Sequence, residues 1–76
     1  MPSRAENLDR LARAEAERES ISAAARHNRE AIELAVKADP LDIEKLHSLT
    51  GEAIRLEKYL VDLIGVIGKL ERNLGE

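Results

Sequence analysis

The apolar residues in the C-terminal half of the chain recur with the spacing of a coiled coil. From position 46 to position 74 they alternate steps of three and four, which places them on one face of an α-helix for about four heptads. This pattern predicts one helix over about residues 41–74. Its apolar face, which we call the C-terminal seam, consists of Leu46, Leu49, Ala53, Leu56, Leu60, Leu63, Ile67, Leu70 and Leu74.

Two features bear on whether this helix is interrupted and where it ends. Ser48 and Thr50 precede Gly51, and either hydroxyl could cap a new helix that begins there. Because the C-terminal seam passes through this segment in register, we expect a continuous helix with at most a local bend. Gly75 follows the last apolar residue and is typical of a C-terminal cap.

The N-terminal half predicts a second helix with a weaker apolar face. Ser3 and Glu6 have the spacing of a capping box, and no Gly or Pro occurs between Ser3 and Ala38. We therefore expect a helix over about residues 4–38, about 50 Å long. Its apolar face is rich in alanine and is interrupted by two polar residues. We call it the N-terminal seam: Leu11, Ala14, Arg18, Ile21, Ala25, Asn28, Ile32 and Ala35.

A hinge at residues 39–40 separates the two helices. Pro40 disfavours helical geometry at Asp39, whereas Asp39 suits an N-cap and Pro40 suits the first turn of the next helix. A tight hinge makes the helices antiparallel neighbours. The sequence thus predicts an all-α, single-domain helical hairpin over residues 1–76.

Asn28 in the N-terminal seam has two interpretations. A single buried Asn sets the register in some coiled coils. Alternatively, the long helix has rotated by this point, and Asn28 faces water. The sequence leaves both open.

Size and composition favour self-association. The chain has 76 residues, one aromatic residue and no cysteine. Short chains bury a modest fraction of their surface and often need a disulfide, a metal or a partner, and the absence of cysteine excludes a disulfide. The alanine-rich N-terminal seam buries little apolar area. We therefore expect two hairpins to pair into a homodimer that resembles a four-helix bundle.

The most apolar segment, LVDLIGVIGKL at residues 60–70, carries two glycines. On the heptad frame with Leu60 at a and Leu63 at d, Gly65 and Gly68 fall at f and b, away from the seam. They predict a bare strip of backbone where a partner helix approaches closely.

Apolar residues also flank that strip, so the apolar surface of the helix widens there. A helix that is apolar nearly all round is buried on more than one side. The widened surface is either bundle core or a patch for another protein. The predicted partner or dimer interface is Leu56, Leu60, Val61, Leu63, Ile64, Gly65, Ile67 and Gly68, with a charged rim of Glu57, Asp62 and Glu71.

The charge distribution argues against nucleic acid as a direct partner. Net charge is −3; residues 1–38 hold seven basic and seven acidic side chains, and residues 39–76 hold five and eight. The segment RHNRE at 26–30 lies in the neutral half and lacks the clustered cationic face that nucleic-acid binding needs. A Rop-like RNA-binding bundle is the minor alternative, because the architecture would suit it.

Catalysis, metal binding and a membrane span are not expected from this sequence. His27 and His47 are on different helices without a partner histidine at i+4, and no glycine lies in a phosphate-binding loop. A two-helix hairpin offers little concavity for a small-molecule substrate. We expect no enzyme activity, no cofactor and no metal. Without a signal sequence or a run of about 18 apolar residues, we expect a cytoplasmic protein.

Two blocks of the chain resemble the TraM-type quorum-sensing antiactivators. LIGVIGK at 63–69 is similar to the closing segment of that family, which has Pro where this chain has Gly68. AAARHNREAIELAVKAD at 23–39 is similar to the family's first-helix segment, which also ends in Lys-Ala-Asp. The blocks cover about half of the chain, which is shorter than the family and has a brief Asp-Pro hinge in place of a longer connection.

The resemblance implies a small all-α protein that binds the DNA-binding region of a LuxR-type transcriptional activator and keeps it off its promoters. The acidic second half of the chain would suit such a basic partner. The competing interpretation is a structural or assembly protein: a coiled-coil subunit, a secretion-type chaperone or a phage-encoded helical protein.

Overall fold

The computed structural model describes residues 3–75, which form two antiparallel α-helices. Helix α1 spans Arg4–Lys37 and helix α2 spans Ile43–Gly75. The hairpin is a rod of 56 × 14 × 14 Å. The predicted all-α helical hairpin is therefore confirmed, and the described residues contain no strand.

Helix α1 begins at the predicted serine cap. The Ser3 hydroxyl accepts a hydrogen bond from the Glu6 amide at 3.1 Å, and the Ser3 carbonyl accepts one from the Asn7 amide at 3.0 Å. The helix ends at Lys37, and Ala38 is already extended, with φ −68° and ψ 143°. At the start of the helix, the Ser3 side chain thus satisfies one of the amides that would otherwise be free, and the bond from Asn7 is the first within the helix.

The predicted start of the second helix was wrong. The connection runs over residues 38–42 rather than 39–40, and α2 begins at Ile43 rather than at about 41. Asp42, not Asp39, is the cap: its carboxylate accepts from the Lys45 amide at 3.1 Å, and its carbonyl accepts from the Leu46 amide at 3.1 Å. Either aspartate could cap, and the one next to the apolar repeat does so.

Helix α2 is continuous through the segment around Ser48 and Gly51, as the register of the C-terminal seam predicts. The Thr50 hydroxyl donates to the Leu46 carbonyl, four residues back, at 2.7 Å. This bond belongs to a helix interior, so Thr50 does not cap a new helix.

The predicted position of Gly75 just beyond the helix was wrong. Gly75 is the last residue of α2, and no described glycine has a positive φ. Instead, the Arg4 guanidinium donates to the Leu74 carbonyl at 3.2 Å. The first residue of α1 thereby satisfies one of the free carbonyls at the end of α2 and places a positive charge at its negative dipole end.

The two seams pack against each other along the rod. Every residue of the C-terminal seam is buried or half-buried, and the same holds for the N-terminal seam except at Arg18, which is exposed. The buried apolar residues are few: Ala14, Ala35, Leu63 and Ile67, of which Ala14, Leu63 and Ile67 form one cluster with Leu11 against it.

Of the two interpretations of Asn28, the structure agrees with the buried one. It is 6% exposed, and its side-chain amide donates to the Leu49 carbonyl at 3.1 Å. A carbonyl oxygen has two lone pairs and can accept this bond in addition to one within the helix. The bond satisfies the buried amide at this level of the rod. Because every residue of α2 carries a backbone carbonyl, it does not by itself exclude a shift of one heptad.

A contact between Tyr59 and Glu17 lies on one flank of the seams. The Tyr59 hydroxyl donates to the Glu17 carboxylate, and this hydrogen bond, with the negative charge beside it, raises the pKa of Tyr59 above its ordinary value of 10.0. Together with Asn28–Leu49 and Arg4–Leu74, the contact joins the helices at three levels of the rod.

Asn28→Ala is expected to lower the free energy of unfolding by about 1 kcal/mol, the net value of a typical hydrogen bond. Urea unfolding followed by circular dichroism measures the difference. Asn73→Ala, at an exposed position of α2, is the matched control and should have little effect. Equal effects of the two substitutions would show that the Asn28–Leu49 bond does not contribute to stability.

Tyr59 should lose its proton at a higher pH than free tyrosine, and Glu17→Ala should return the midpoint to the ordinary range. Tyr59 is the only tyrosine and the chain has no tryptophan, so ultraviolet absorbance follows it directly. Since folding raises this pKa, the contact stabilises the hairpin below the ordinary pKa of tyrosine and is lost as pH rises through the raised value.

Glu19→Ala, also exposed on α1, is the control for this titration and should leave the midpoint unchanged. An identical midpoint in the unsubstituted chain and in Glu17→Ala would contradict the contact.

Candidate protein-binding face

The hairpin has two different flanks, one on each side of the packed seams. On the heptad frame of α2, Tyr59 is at a g position, and its contact with Glu17 marks the flank that we call the tyrosine side. Glu57 is at an e position and lines an open groove between the helices together with Arg29 of α1. This second flank we call the groove side.

The groove has a volume of about 410 Å³ and a mainly apolar floor. It forms because Ala25 and Ala53 lie nearly level in the register that Asn28 and Leu49 define, and two methyl groups cannot fill the space between two helices. Arg29 and Glu57 add one charge of each sign. The lining residues are Ala25, Asn28, Arg29, Ile32, Ala53, Glu57 and Leu60.

Three exposed apolar side chains of α2 lie on or beside the groove side. Ile54 and Val61 occupy b positions and Ile64 an e position, and they are 64%, 63% and 55% exposed. We call these three residues the outer row. Val61 and Ile64 are three residues apart, and Ile54 lies two turns before Val61 with Glu57 between them, so the row runs parallel to the C-terminal seam. Large apolar side chains clustered on a surface are typical of an interaction site.

The residues predicted as an interface separate into two sets. Leu63 and Ile67 are buried and Leu56 and Leu60 are half-buried in the contact between α1 and α2. A second set faces away from that contact: Val61, Ile64 and Gly65 are exposed and Gly68 is half-buried, and the three predicted rim residues Glu57, Asp62 and Glu71 are also exposed.

Neither glycine of the outer surface is required by packing inside the hairpin. A Cβ atom at Gly65 or Gly68 would have no neighbour within 4 Å beyond its own local backbone, and neither residue has a positive φ. Glycine costs about 1 kcal/mol relative to alanine within a helix. The hairpin alone therefore offers no structural compensation for this cost at either position.

The sequence pattern predicts neither the groove nor the contact between Tyr59 and Glu17. The alanines at seam positions 25 and 53 were the only signal for the groove, and they become informative only once the register is known. Tyr59 and Glu17 are both outside the seams, so apolar spacing does not reveal their contact.

The structure was also searched, over residues 3–75, for metal-site geometry and for membrane-spanning helices. Residues 3–75 contain no cluster of three or more His, Asp or Glu side chains with the geometry of a metal site. Within the same range, neither helix is long and apolar enough to cross a membrane. His27 and His47 are both exposed.

Comparisons of the chain with protein-family models, with curated proteins and with solved structures found no match.

Proposed function

We propose that this protein is a protein–protein interaction module that receives a helix of its partner along the outer surface of α2. The observation that carries the proposal is the pair Gly65 and Gly68, which no contact inside the hairpin requires. They lie beside Val61 and Ile64, which are largely exposed.

The physical basis is close helix approach. Where side chains are absent, two helix axes can come nearer than the usual 8–10 Å, and neighbouring side chains then make more dispersion contacts. Val61 and Ile64 would supply the apolar area that binding removes from water, at about 25 cal/mol per Å². A partner helix with small or apolar residues on one face fits this surface.

The resemblance to TraM-type antiactivators suggests which class of protein the partner belongs to. On that basis, the partner is a LuxR-type transcriptional activator, and binding to its DNA-binding region keeps it off its promoters. The exposed Asp62 and Glu71 lie near the bare backbone at Gly65 and Gly68, which we call the glycine strip. Acidic side chains at its rim would increase the rate of association with a basic partner.

The second candidate is a structural or assembly protein. The rod shape and the regular C-terminal seam favour it, because coiled-coil rods commonly serve as assembly elements. Direct binding separates the two candidates: the purified chain should bind the purified DNA-binding region of the LuxR-type activator from the same cell. Absence of binding would exclude the antiactivator proposal.

Gly65→Leu is expected to weaken partner binding by at least about tenfold, which corresponds to about 1.4 kcal/mol, while the hairpin stays folded. A Cβ at this position meets nothing within the hairpin, so only the approaching helix should be obstructed. Isothermal titration calorimetry measures the affinity, and circular dichroism verifies the fold.

Two further variants sharpen this test. Ala23→Leu adds bulk at an exposed position of α1 and should leave binding unchanged. Gly65→Ala should raise stability by about 1 kcal/mol and weaken binding less than Gly65→Leu. Unchanged affinity in Gly65→Leu would show that the glycine strip does not contact the partner.

A further inference from the structure

The hairpin exposes more surface than a compact protein of its mass. Its accessible surface is 6102 Å², whereas a monomeric protein of 8.4 kDa is expected to expose about 4,600 Å². The excess is about 1,500 Å² per chain, and a typical stable interface buries about 800 Å² of each partner. A second copy could thus cover one flank and leave other surfaces free.

The groove side has the shape that a symmetric interface requires. In a two-fold dimer the same patch lies on both subunits, so it must fit itself. The middle of α2 is Tyr59; the outer-row residues Val61 and Ile64 lie on its C-terminal side, and the groove centred on Ala53 lies on its N-terminal side. Two of the three outer-row projections and the groove are therefore displaced in opposite directions from the middle of the rod, and the third, Ile54, lies beside the groove.

We propose that the groove side binds a second copy of this chain, with the two α2 helices antiparallel and the two-fold axis crossing them at the level of Tyr59. Ile64 of each copy then lies level with Ile54 and Ala53 of the other and enters the groove between the helices. Val61 lies level with Glu57, whose aliphatic stem lines the same groove. Both rods overlap over their full length.

Charges on the same face favour this alignment over a parallel one. In the antiparallel pair neither Glu57 nor Glu71 lies level with a carboxylate of the other copy, because Glu57 is level with Val61 and Glu71 with His47. A parallel pair would place Glu57 against Glu57 and Glu71 against Glu71, all of them exposed carboxylates in the isolated hairpin. Repeated like charges across a helix interface disfavour that pairing.

This inference is independent of the proposed function, because it concerns the free protein and is measured without any partner. Val61 and Ile64 border both the groove side and the glycine strip. A copy and a partner helix would therefore compete for these two side chains. Sedimentation of the chain alone tests the dimer whatever the outcome with a partner. Partner binding is measured at chain concentrations below the dissociation constant of the dimer, so that competition does not mask it.

Sedimentation equilibrium of the purified full chain should give twice the chain mass, and Ile64→Lys should weaken the association constant at least tenfold. Ile64 is 55% exposed, so the hairpin should keep its helicity. The matched control is Val66→Lys: Val66 is 50% exposed at a g position, on the tyrosine side, and its substitution should leave the dimer intact. A monomeric wild-type chain, or equal weakening by both substitutions, would overturn the proposal.

Disulfide trapping then tests the alignment, since the natural chain has no cysteine. A mixture of the Ile54→Cys and Ile64→Cys chains should form a covalent dimer on mild oxidation. Either variant alone should not, because its two thiols would be separated by about 15 Å along the rod, beyond the Cα separation of about 7 Å that a disulfide tolerates. Linkage of a single variant to itself in preference to the mixture, or no linkage in the mixture, would overturn the antiparallel arrangement.

Discussion

The contact between a leucine-rich seam on α2 and an alanine-rich seam on α1 determines most properties of this molecule. The leucines and Ile67 of α2 provide the apolar volume, and the alanines of α1 allow the helices to approach. This combination gives two helices of more than thirty residues each a continuous contact. It also gives a thin core, in which only four apolar residues of the described range are buried. Helices of this length are stabilised chiefly by such packing rather than by propensity, and this thin core is the physical basis of the proposed self-association.

Polar contacts set the alignment that the apolar seams alone would leave degenerate. A heptad repeat tolerates a shift of seven residues because each shift restores the same pattern. The Tyr59–Glu17 contact, which joins two side chains, and the Arg4–Leu74 bond, at the end of α2, each favour one alignment. That alignment brings Ala25 and Ala53 together and creates the groove. The proposed self-association surface therefore depends on how the two helices are aligned. The glycine strip does not, because Gly65 and Gly68 lie outside the contact between the helices.

Much of the fold could be predicted from the chain, and the reasons differ between elements. The C-terminal seam is long and regular, so periodicity predicted a continuous α2 through Thr50. The start of α2 could not be fixed because Asp39 and Asp42 have the same capping chemistry, and only their position relative to the packed repeat distinguishes them. Gly75 was predicted as a cap beyond the helix, whereas it lies within α2, and the guanidinium of Arg4, far away in the sequence, donates to the Leu74 carbonyl. The outer position of Val61, Ile64 and Gly65 followed from heptad spacing, whereas the groove required the alignment of two helices.

We propose that the isolated hairpin buries too little apolar surface for full stability and that a second copy completes it. Thermal unfolding of the purified chain at protein concentrations two orders of magnitude apart tests it most directly, because association with a copy stabilises the folded state by mass action. If a second copy stabilises the hairpin, the melting temperature rises with protein concentration. A melting temperature that is independent of concentration over that range would contradict it.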